Sequence, residues 1–116
     1  MTSSILAEKT IDFAIRIVKC YGYLLEEKRE YVMSKQILRS GTSVGANIHE
    51  ALFAQSRADF ISKLSIALKE ASETSYWLTV LQRTEYLTDT MALSLRSDLD
   101  EIIRIIISSI KTSKKK

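Results

Sequence analysis

Residues 39–51 read RSGTSVGANIHEA and concentrate the types that could do chemistry: close glycines, hydroxyls, an amide, a histidine and a carboxylate. A phosphate-cradling loop is the first chemistry to test. It needs G-x-x-x-x-G-K-[ST] after a strand, whereas here the spacing is G-x-x-x-G, no lysine follows and no strand precedes. The dinucleotide fingerprint G-x-G-x-x-G is absent too. His49 is the one histidine, and HEALF lacks the second histidine that a zinc-binding H-E-x-x-H requires. A di-iron bundle needs two Glu-x-x-His motifs, and a serine triad would need a G-x-S-x-G elbow. Cys20 stands alone, so neither a disulfide nor a thiolate cluster can form within the chain. The expectation is no catalysis, no metal and no cofactor, with His49 facing solvent and Cys20 packed.

The same stretch makes better sense as a helix face. Gly41 and Gly45 lie four apart, on one side with Ile37, Ile48 and Leu52. Each costs about 1 kcal/mol of helix propensity relative to alanine, so packing against a close neighbour must offset it. Beside them Arg39, Ser43, Asn47 (or Ala46) and Glu50 recur at helical spacing, while Glu70, Glu73 and Trp77 share a face further on, with Lys69 next to them. If the two segments form an antiparallel hairpin turning near Ser56, Arg39 faces Glu73, Ser43 faces Lys69 and Asn47 faces Ser65. The expected result is a polar seam led by an Arg39–Glu73 pair, with the guanidinium forked onto the carboxylate. Such seams set alignment more than stability. A binding site lined by the same groups is the alternative.

Four periodic segments must position these residues, at about 4–27, 34–55, 57–83 and 89–111, with a basic tail at 111–116. Ser34 is the expected N-cap of the second, and Thr88 or Asp89 that of the fourth. Ser56, with Asp59 three residues on, resembles a capping box and should open the third. Its inner stripe reads Phe60, Leu64, Ala67, Leu68, Ala71, Leu78 and Leu81. The last segment carries Leu95, Leu99, Ile102, Ile103, Ile106 and Ile110. Segments of this length span about 30 Å at 1.5 Å per residue, and short links between them imply an all-α, antiparallel up-down-up-down four-helix bundle.

The chain has 116 residues, enough for a single domain. It has no proline and 46% apolar residues, which favours long helices around a packed core. The N-terminus shows no signal-peptide pattern and no 18-residue apolar run spans a membrane, so a cytoplasmic protein is expected. The net charge of +3 becomes −1 without Lys111, Lys114, Lys115 and Lys116. Basicity is therefore concentrated in the tail.

The apolar arcs are wider than a lone bundle needs. Ile102, Ile103, Ile105, Ile106 and Ile107 sweep an arc of roughly 200°, against a stripe of about 100° or more for a surface helix. The first segment carries two adjacent stripes. One is Ile11, Ala14, Ile15, Val18, Gly22 and Leu25, and the other is Phe13, Ile17, Cys20 and Leu24. Exposed surplus of this kind is an association site. A homo-oligomer is therefore expected, with the first and fourth helices contributing.

QILRSGTSVGANIHEA followed by SRADFISKLSIALKEASETSYWL resembles the bacterial four-helix bundle proteins known as 23S rRNA intervening-sequence proteins. Gln36, Arg39, Ser40, Ser43, Asn47, Glu50 and Ala51 fit the first part of their pattern. Ser56, Phe60, Leu64, Ala67, Glu70, Glu73, Trp77 and Leu78 fit the second. The resemblance implies a left-handed bundle assembling as a homopentamer. It also implies kinship with the accessory protein of diversity-generating retroelements, a basic pentameric barrel that binds nucleic acid and a reverse transcriptase. The functional expectation is a non-catalytic module that binds RNA or DNA, with Arg57, Lys63, Arg83, Arg104, Lys111, Lys114, Lys115 and Lys116 as candidate phosphate contacts. The rival expectation is a scaffold for a protein partner such as a reverse transcriptase.

Overall fold

The computed structural model describes residues 2–115, and side chains from residue 5 onward. Four helices follow one another: α1 (Thr2–Glu26), α2 (Met33–Leu52), α3 (Arg57–Arg83) and α4 (Asp89–Lys115). Each packs on its chain neighbours and α1 also packs on α4, closing a four-sided all-α bundle of 47 × 20 × 19 Å. The directions of the α2–α3 and α1–α4 pairs are read from their ion pairs. Arg39 meets Glu73 while Glu50 meets Lys63, and Lys9 meets Glu101 while Arg16 meets Asp98. Numbers climb on one helix as they fall on the other, so neighbours run antiparallel.

Phe13, Ile17, Cys20 and Leu24 of α1 enter the core. They meet Ile37, Val44 and Ile48 of α2, Leu64, Ala67, Ala71, Leu78 and Leu81 of α3, and Leu95, Leu99, Ile102 and Ile106 of α4. Of the two stripes on α1, only this one turns inward. Phe60 and Leu68, read from the sequence as inner residues of α3, are half-buried at its flank. Thr74 takes an inner place instead, where its hydroxyl donates to the Glu70 carbonyl at 2.8 Å and is hydrogen-bonded to the buried Ser40 hydroxyl on α2 at 3.0 Å. This pair satisfies two polar groups inside an apolar interface.

The α1–α2 contact depends on glycine. A Cβ on Gly41 would sit 2.8 Å from Ile17, and one on Gly45 would sit 3.2 Å from the Thr10 carbonyl oxygen. Ile17 is itself fully enclosed, so it has no free direction in which to yield. Gly22 meets nothing within 4 Å.

The helix ends show which caps the chain uses. Ser56 accepts from the Asp59 N–H at 3.0 Å, and Asp59 in turn accepts from the Gln55 N–H at 3.2 Å. Thr88 accepts from the Met91 N–H at 3.1 Å, leaving Asp89 to accept from Gln82. Ser34 is not the N-cap of α2. Its hydroxyl donates to the Glu30 carbonyl, and the Glu30 carboxylate accepts the backbone N–H groups of Val32, Met33 and Ser34. A longer side chain reaching back from the preceding loop replaces the expected local cap. Glu30 is only 8% exposed. Burial alone would push its carboxyl up, but the backbone donors outweigh that and hold it below the usual glutamate range. Helix α4 also runs on through the lysines to Lys115, so residues 111–115 are helix and not tail. Lys116 lies outside the described residues. Among them, no helix is long and apolar enough to cross a membrane.

Two substitutions separate the roles of the glycines. Gly41→Ala should lower unfolding stability by about 1–2 kcal/mol, overpacking against Ile17 exceeding the gain in propensity. Gly22→Ala should raise it by about 0.5–1 kcal/mol. Denaturant unfolding of both variants checks the pair.

Candidate functional site

The polar bonds of the 39–51 stretch run within the bundle. Arg39 donates to Glu70 Oε1 at 3.1 Å and to Glu73 Oε2 at 2.5 Å, and Trp77 Nε1 donates to the same Glu73 oxygen at 3.1 Å. The expected fork onto one carboxylate is instead a bridge between two, one helical turn apart on α3. The Arg39 hydrogen bond, helped by that of Trp77, holds the Glu73 carboxyl below its usual range. The rest of the expected seam closes on its own helix. Ser43 donates to the Arg39 carbonyl, Asn47 to the Ser43 carbonyl and Ser65 to the Ile61 carbonyl. Ser43 and Asn47 therefore make no hydrogen bond to Lys69 or Ser65, because the i−4 carbonyl is nearer than the facing helix. Glu50 pairs with Lys63 at 3.1 Å.

Sequence reading missed two arginines that tie α4 to the bundle. Arg16 donates to Asp98 at 2.6 Å and to the Ser94 hydroxyl at 2.7 Å. Arg96 donates to the hydroxyls of Ser75 and Thr79 at 2.7 and 2.8 Å. Partners of Arg16 lie far along the chain, so no local spacing announces them. Cys20, beneath Arg16, has its thiol pushed up to about 11 by burial, with the Arg16 charge pulling partly against this. It stays a protonated packing residue at neutral pH.

Two surfaces remain open. The outer stripe of α1 leaves Ile11, Ile15 and Val18 about half exposed, at 52, 49 and 51%. With Ala14 they form one wall of a groove of about 510 Å³ whose other wall is Thr42, Gly45 and Ala46 of α2. Lys19 and His49 are its polar edges, and His49 faces solvent. The wide isoleucine arc of α4 does not supply a second such face. Ile102 and Ile106 are buried, and Ile103 and Ile105 pack against the core, leaving Ile107 the most open of the five. The apolar groove thus lies between α1 and α2, while α4 keeps Leu93 and Ile107 exposed.

The second surface is basic. Arg104, Lys111 and Lys115 line a shallow groove of about 370 Å³ along the end of α4, with Ile107, Ser108 and Thr112 between them. Helix α3 starts at the end of the bundle where α4 finishes, so Arg57 and Lys114 belong to the same end. Arg83 does not, being about 39 Å away along α3. Lys63 is held by Glu50. Among the described residues, Arg57, Arg83, Arg104, Lys111, Lys114 and Lys115 have no ion-pair partner. Lys114 and Lys115 also suit the negative end of the α4 dipole.

Residues 3–108 match the family described as 23S rRNA-intervening sequence protein, and the chain belongs to that family. It is also similar to a crystal structure of a protein of unknown function from the S23 ribosomal protein family of Bacteroides thetaiotaomicron. The two share 58% identity and a TM-score of 0.95, over 96% of this chain and 99% of that one. No curated protein matches the chain.

The Arg39 bridge predicts a pH-dependent contribution. Arg39→Ala should cost about 1 kcal/mol at neutral pH, and Arg39→Lys should recover less than half, since an ammonium cannot span both carboxylates. Glu73 titrates lower folded than unfolded, so its share is complete above the usual glutamate range and lost as pH falls through the lowered value. The gap between wild type and Arg39→Ala, measured by denaturant unfolding, should shrink with acidification.

Proposed function

We propose that the chain is a non-catalytic, homo-oligomeric module that binds nucleic acid, with RNA as its natural class. The observation that supports it most is the segregation of two unpartnered surfaces: an apolar groove on α1 and α2, and free cations along the last turns of α4. Apolar faces of this kind associate in water, and the resemblance to the family carries over a subunit number of five. Arg104, Lys111 and Lys115, with Arg57 and Lys114 at the same end, serve as phosphate contacts. Repetition by symmetry lets weak sites act together. Lys63 contributes less because Glu50 already neutralises it. Lys116 extends the basic run, and the cytoplasm is the proposed compartment.

A scaffold is the second reading, and the apolar lining of the α1–α2 groove favours it. There the groove would take a helix of a protein partner, such as the reverse transcriptase that kinship with the retroelement accessory protein brings to mind.

Two experiments test the first reading. Ile11→Lys with Ile15→Lys should lower the light-scattering mass to that of a monomer while the helical circular dichroism persists. Anisotropy binding to structured RNA should be salt-steep and should weaken on truncation after Ile110, which removes Lys111, Lys114 and Lys115 and leaves Arg104 and Arg57. RNA binding that is absent, or that is indifferent to salt and to that truncation, would move the assignment to the scaffold.

A further inference from the structure

The outward face of α3 carries a feature that neither open surface uses. Lys69, Tyr76 and Arg83 follow one another at seven-residue steps, which on an α-helix is nearly one line, drifting about 20° per step. Ala67, Ala71, Leu78 and Leu81 point into the core on the opposite side, and all three residues of the line are exposed. Ser65 and Ser72 fill the same line and no carboxylate interrupts it. Glu70, next to Lys69 in sequence, turns to Arg39 on α2, and Glu73, one turn on, is bonded to Arg39 and Trp77 while the Lys69 charge also acts on it.

Tyr76 is held in place and left open. Its ring meets Trp77 edge-on, with centroids 4.9 Å apart and planes at 76°. Trp77 is itself fixed through its indole N–H on Glu73, which Arg39 holds from α2. Tyr76 nevertheless remains 59% exposed. A supported aromatic flanked by one free cation on each side, about 21 Å from end to end, matches what a single strand of nucleic acid needs. Cations track the backbone and an aromatic face receives a base. A duplex hides its base faces and could use the cations alone.

We propose that the Lys69–Tyr76–Arg83 line of α3 is a binding track for single-stranded nucleic acid, with a base stacked on Tyr76 and phosphates at Lys69 and Arg83. The span suits roughly four nucleotides, the lower end of known site sizes. This inference rests on the nucleic-acid reading above and specifies its ligand as single-stranded. It also gives Arg83, isolated from the basic end of the bundle, a local partner set.

The test is anisotropy binding of the full chain to a fluorescent oligouridine and to a matched RNA duplex over a salt series. Tyr76→Ala should weaken oligouridine binding about tenfold and leave duplex binding unchanged, and Tyr76→Phe should retain the affinity. Lys69→Gln and Arg83→Gln should each flatten the slope of log affinity against log salt by about 0.7. Thermal melts establish that each variant is folded, and the exposure of all three side chains makes that the expected result. Oligouridine binding indifferent to Tyr76→Ala would overturn the track and leave the nucleic-acid reading standing. Failure of both RNAs to bind would overturn both.

Discussion

The close approach of α1 to α2 across Gly41 and Gly45 is the constraint on which the remaining arrangement depends. Ile17 occupies the space where a Cβ of Gly41 would be, and the Thr10 carbonyl lies against Gly45. Among the described residues no side-chain hydrogen bond or ion pair joins these two helices, whereas each of the other three interfaces carries polar clamps. Arg39 and the Ser40–Thr74 pair join α2 to α3, Arg96 joins α3 to α4, and Arg16 and Lys9 join α1 to α4. The α1–α2 contact is held by shape alone, so the glycines set both its distance and the rotation of α1.

That rotation decides what the surface offers. Once Ile17 is seated on Gly41, the stripe of Phe13, Cys20 and Leu24 is inside, and Ile11, Ile15 and Val18 are left against water. The small residues that permit close packing also leave the neighbouring surface of α2 low, so an apolar groove opens beside the contact. On α4 the same apolar excess is absorbed, because Ile103 and Ile105 find neighbours around the core. The apolar and basic surfaces therefore lie on different parts of the bundle, and assembly through one leaves the other available.

Much of this was legible in the sequence where the signal is local. Helix existence followed from periodicity, and the α3 cap followed from Ser56 and Asp59. The Arg39–Glu73 contact followed from the hairpin register. What escaped has physical reasons. Periodicity fixes the angle between the two α1 stripes, not which of them faces the core; that choice is made by glycines on another helix. The Glu30 cap escaped because a glutamate reaching over from the preceding loop leaves no N-cap pattern, and Ser34 looked like the nearer candidate. Arg16 and Arg96 bond across interfaces between segments that share no local pattern. The run of lysines resembles a tail by composition, yet helix α4 simply continues through it, with its last-turn charges favourable to the dipole. As for the site, the cations were legible as residues, but their grouping was not. Only the fold separates Arg83 from Arg104 and Lys111, and shows Lys63 already paired.

The most direct measurement is the light-scattering mass of the intact chain at micromolar concentration, followed from low to high salt. An interface made of Ile11, Ile15 and Val18 against the glycine side of α2 predicts a multiple of 13.2 kDa that holds or strengthens as salt rises, since apolar contacts are not screened. A monomer mass throughout, or an assembly that dissolves with salt, would contradict it and place any association on charged groups instead.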